Sequence, residues 1–153
     1  MKGSPQVIET LQSAAAAEAH LNLQYRLDRR SLKFMGIKQV SKKTAEFGDD
    51  THEFLKYVTK RILFLEGDPS YAIAKVVEQS TLTALLKAEL ALEMAIVKPY
   101  EDAVQVAMKA LDDTTRNLFE HLLKWHEKHV DWIERQLRLI EGMGEATYIS
   151  AKL

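Results

Sequence analysis

The chain has 153 residues, 46% of them hydrophobic and 28% charged, with a formal net charge of −1. That balance suits a single globular domain spanning 1–153 and excludes both the basic excess of a nucleic-acid binder and an acidic solvating tail. The absence of cysteine rules out a disulfide scaffold, an iron–sulfur cluster and a thiol nucleophile.

The opening MKGSPQVIETLQ carries no apolar signal core, and no stretch has the roughly 18 apolar residues needed to span a bilayer. A soluble cytoplasmic protein with no membrane partner is the expectation. Helix formers then fill long uninterrupted runs, and β-branched alternation is absent. The pattern predicts a first helix over 5–35, stopped near Gly36, and a second over 39–66, stopped by Gly67-Asp68-Pro69. A third follows over 79–109, where Pro99 predicts a kink, and a fourth over 113–141 behind the cap Asp112-Asp113-Thr114. Gly142-Met143-Gly144 separates a short tail helix over 145–152. Four matched helices of about 40–45 Å predict an all-α four-helix bundle. The segment DPSYAIAKVVEQS between the second and third is long enough to cross the bundle lengthwise.

Steps of three and four trace an inward stripe on each helix. The first gives Ile8, Leu11, Ala15, Glu18, Asn22 and Tyr25; the second gives Phe47, Thr51, Phe54, Val58, Ile62 and Leu65. The third gives Leu82, Leu86, Glu89, Glu93, Ile96 and Tyr100; the fourth gives Phe119, Leu122, His126, His129, Ile133, Leu137 and Ile140. Glu18, Glu93, His126 and His129 interrupt these stripes near mid-helix, so they should meet in one layer. Burying them together is costly unless something satisfies them. A divalent metal, iron or zinc, would do so; a hydrogen-bonded Glu–His network is the plainer alternative.

MKG with Val7-Ile8 following, Glu18 with Gln24-Tyr25, RILFLEGDP at 61–69, LALE at 90–93 and HVDWIE at 129–134 together resemble the bacterioferritin family over essentially the whole chain. About one residue is missing between the second and third helices. The resemblance implies a ferritin-like bundle with a long crossover and a short fifth helix. It also implies a 24-subunit shell that takes up ferrous iron, and haem b held between paired subunits. The family's di-iron centre takes a Glu from each of two helices and an E-x-x-H pair from each of the others. Glu18, Glu93 and His129 fall on three of these six positions; His126 replaces a glutamate, and Thr51 and Phe54 replace the pair on the second helix.

By the same register His52 stands where the family has its axial methionine, and imidazole is a good haem ligand. Glu46 and Asp50 fall on positions that face the shell interior and can collect iron. The expectation is an iron-storage subunit with a degenerate ferroxidase centre, assembling with itself or with a complete second bacterioferritin subunit. The alternative is a metal-dependent oxidase or metal-binding protein with a rebuilt mononuclear Glu18, Glu93, His126, His129 site, where Tyr25 would be a redox or hydrogen-bonding partner.

Overall fold

A computed structural model describes residues 1–153. It contains α1 (Pro5–Phe34), α2 (Lys38–Phe64), α3 (Leu82–Lys109), α4 (Asp113–Met143) and a short α5 (Glu145–Ala151). Pro5 opens α1 just after Ser4, where its missing N–H costs nothing. Gly36, at φ +83°, turns the chain directly into α2, so the two helices form an antiparallel hairpin. At the end of α2, Glu66 takes φ +62°, and the Gly67 N–H reaches back to the Ile62 carbonyl at 2.9 Å. A methyl group on Gly67 would lie 2.7 Å from Ile8 Cγ2, so glycine is required there for close approach.

Residues 65–81 run as an extended strap beside α1. Gln12 donates to the Asp68 carbonyl at 2.9 Å, His20 meets the Lys75 carbonyl at 3.2 Å, and Gln24 pairs with both backbone groups of Val77 at 2.8 and 3.0 Å. The strap therefore travels the same way as α1, and α3 starts level with the end of α1. This is the lengthwise crossover expected from the sequence. It makes α3 antiparallel to α1, as the contacts Tyr100–Glu18 and Tyr25–Glu93 require.

The third helix begins later than the sequence pattern suggests, because the Thr81 hydroxyl caps it by accepting from the Ala84 N–H. It runs on through Pro99 without a break. Asp112 caps α4 and also pairs with Arg61 of α2 at 2.7 Å, locking two helix ends together. The fourth helix continues through Gly142 and ends only at Gly144, at φ +84°. Tail helix α5 folds back: Tyr148 is buried and donates to Gln136, while Glu145 accepts from the N–H and hydroxyl of Thr83. The apolar core runs the length of the bundle, and its densest run of buried charged groups is the Glu–His layer at mid-height.

Candidate metal centre

The four polar intruders do meet. Glu18, Glu93 and His126 have no exposed surface, and His129 has 1%. They are brought together without converging on one point. The His126 ring lies between the two glutamates, its Nδ1 2.6 Å from Glu93 Oε2 and its Nε2 2.8 Å from Glu18 Oε2. His129 is held likewise, Nδ1 2.9 Å from Glu93 Oε1 and Nε2 2.9 Å from Asp50 Oδ2. The Tyr25 hydroxyl donates to Glu93 Oε1, and the Tyr100 hydroxyl donates to Glu18 Oε2 at 2.7 Å.

Every nitrogen of both rings thus faces a carboxylate oxygen at bonding distance. An unprotonated nitrogen would repel that oxygen, so the arrangement calls for both rings to be doubly protonated. Burial alone would push the His126 pKa down. The adjoining carboxylates of Glu18 and Glu93 outweigh it and hold the pKa up at about 10. His129 is also raised, burial being overcome by Asp50 and Glu93. Glu93, which burial would raise, is drawn down to about 2 by the two imidazoles. Burial, reinforced by the neighbouring carboxylates, pushes both tyrosines well above their ordinary range, so they act as hydrogen-bond donors. Two imidazoliums offset two of the three facing carboxylates here, with the cations supplied by protons.

Apart from Asp50, helix α2 closes this layer with groups that are poor ligands or none. Thr51 is buried, and its hydroxyl donates to the Gly48 carbonyl at 2.8 Å. Phe54 is buried with its ring 5.4 Å from His126, and Phe47 stacks on His129 at 4.1 Å. Aromatic faces against imidazolium rings favour the charged form. One atom each from Glu93, His126 and His129 lies within 4.8 Å of the others, so these three can share an ion if protons leave. Glu18 approaches His126 from the opposite nitrogen.

The other site residues from the sequence lie apart from this layer, with one exception. Asp50 is half-buried: it keeps part of its side chain at the surface and also completes the hydrogen bonding of His129. Its place was legible in principle, since it precedes the inward Thr51 by one residue. Glu46 is exposed and paired with Lys43 at 3.2 Å. His52 is exposed beside a small groove of about 130 Å³ that is lined mainly by polar groups, including Arg26, Arg29 and Asp49. An apolar macrocycle is poorly matched by that lining, so the residues of one chain do not fit haem.

Four long helices, a lengthwise crossover and a Glu/His layer at mid-height define a ferritin-like bundle, and residues 8–143 match the ferritin-like domain family. The bacterioferritin of Streptomyces coelicolor is 32% identical over 98% of this chain and 90% of its own length. That of Brucella melitensis is 31% identical over 97% and 92%, and that of Mycolicibacterium paratuberculosis 29% over 97% and 94%. The chain belongs to the bacterioferritin family. No helix is long and apolar enough to cross a membrane.

Proposed function

We propose that this chain is an iron-storage shell subunit whose own iron-oxidising centre is replaced by a proton-charged Glu–His network. The observation that carries this reading is the pair Thr51 and Phe54. They occupy the inward positions of α2 at the height of Glu18 and Glu93, one with its hydroxyl spent on backbone and one with no donor atom. A pair of divalent ions there would find on α2 only Asp50, already bonded to His129, in place of the two ligands that a di-iron centre takes from that helix. The chain contributes packing surfaces and a cavity lining instead, with ferrous iron as cargo and Glu46 at the surface available to it.

Exposed Phe34, Leu63, Phe64 and Leu111 support assembly, because they are large apolar side chains left bare on a single chain. The 24-subunit form is carried over from the family. The shell forms from this chain alone or mixed with a subunit that oxidises iron for it. Light scattering of the purified chain tests this: a mass near twenty-four times 17.4 kDa is the expected result. If it stays a monomer or dimer, both alone and when co-expressed with a complete bacterioferritin, the shell reading fails.

A second reading rests on the approach of Glu93, His126 and His129 within 4.8 Å. Those three would ligate one zinc or iron ion. Glu18, on the far nitrogen of His126, would then fix the ring's tautomer rather than ligate. Each ligating imidazole must first lose a proton that the carboxylates hold tightly, so this reading ranks second.

A further inference from the structure

A second acidic layer lies one helical turn from the first. Glu89 precedes Glu93 by one turn of α3, and Asp28 follows Tyr25 by nearly one turn of α1. Glu89 has no exposed surface and Asp28 has 2%. Glu89 stood on the inward stripe in the sequence, yet it belongs to neither the His126 nor the His129 network.

Neither Glu89 oxygen accepts from any N–H or O–H group of the chain. The polar group that it meets is the carboxyl of Asp28. Asp28 in turn receives one donor, Gln24 Nε2 at 3.0 Å, and that same nitrogen donates to the Val77 carbonyl of the strap at 2.8 Å. Two carboxyls from different helices thus face each other in the interior with a single amide between them. No lysine, arginine or histidine bonds to either.

Burial raises the Asp28 pKa to about 6, and burial together with Asp28 raises Glu89 well above its ordinary range. The two acids can bond to each other only through a proton that they share. A buried carboxylate without donors costs several kcal/mol unless a cation or proton neutralises it. Oxygen donors alone, with no nitrogen or sulfur, suit a hard ion that keeps some water.

We propose that Asp28 and Glu89 form a second buried divalent-cation site, distinct from the histidine cluster, that takes a hard ion of the manganous or ferrous class. Binding replaces the shared proton: one divalent ion enters between the two carboxylates and one proton leaves to solvent. The Gln24 amide, pinned to Val77, holds Asp28 in place and closes the site beneath the strap. This proposal is independent of whether the histidine cluster binds metal.

Manganese(II) titration of the assembled protein, followed by electron paramagnetic resonance, tests it. Glu89→Gln and Asp28→Asn should each remove one tightly bound manganese ion per chain relative to wild type. His126→Gln should leave that ion in place. Circular dichroism confirms folding of each variant, and the near-isosteric changes make loss of fold an unneeded explanation. If Glu89→Gln and Asp28→Asn, both folded, bind as much manganese as wild type, the pair holds only a proton and the proposal is overturned.

Discussion

Placing a glutamate at position 51, a histidine at position 54 and a glutamate at position 126 in one chain should give ferrous oxidation far faster than the parent chain's. The triple variant Thr51→Glu, Phe54→His, His126→Glu should exceed the parent by about two orders of magnitude, a barrier reduction of about 2.7 kcal/mol. Charge arithmetic is the reason. Carboxylates at 18, 51, 93 and 126 carry four negative charges, which two divalent ions neutralise while both histidines stay neutral. The present chain has two of those carboxylates plus Asp50, and its two imidazoliums offset two of these three charges. Single restorations should each give little, because a two-ion site works as a unit and its members are strongly non-additive. Stopped-flow absorbance of the ferric product checks this. His126→Glu alone as fast as the triple would mean that the α2 positions are not what limits the chain.

Removing the ring at the middle of the network should be the most damaging single change to stability. His126→Ala leaves Glu18 and Glu93 buried, with their shared cation gone, and breaking a buried pair in this way costs about 3–5 kcal/mol. Adding Glu93→Gln to it should cost less than the two single changes summed, since one fewer uncompensated charge remains.

The same network fixes the pH dependence. The His126 pKa is about 10 in the fold against an ordinary 6.5, so its contribution is whole below pH 6.5 and is lost as pH rises toward 10. Glu93 sits at about 2 against an ordinary 4.5, so its contribution is whole above pH 4.5 and is lost as pH falls toward 2. Urea unfolding across pH should therefore show a plateau between about 4.5 and 6.5 with a decline on both sides. A wild-type profile that matches His126→Ala above pH 7 would show that the ring is neutral and the network is not ionic.

The helices and their buried faces were legible because periodicity of three and four is a local property of the chain. Of the stripe residues, Ile8 and Leu137 are only partly buried, while Gln136 takes a core place through its bond from Tyr148, a contact that a fifth helix supplies. The layer of Glu18, Glu93, His126 and His129 was legible for the same reason: mid-helix polar residues on an inward stripe must face one another. What the pattern did not carry was which atoms meet. Whether His126 and Glu93 share an ion or a proton depends on rotamers, and the ring placed between two carboxylates is a tertiary outcome. The family register places Asp50 at the shell-facing surface, and its carboxylate also reaches inward to His129 at 2.9 Å. Glu89 lies on the same stripe, but only the fold shows that it is buried without a donor.

The central claim is that protons, not metal ions, charge the mid-bundle layer and leave it without oxidase activity. Ferrous oxidation in air by the purified wild-type chain alone, set against a protein-free blank at pH 6.5, tests it most directly. The expected rate equals the blank. A fast phase that disappears in His126→Gln while the shell stays intact would show that the rebuilt cluster binds and oxidises iron, contradicting the account.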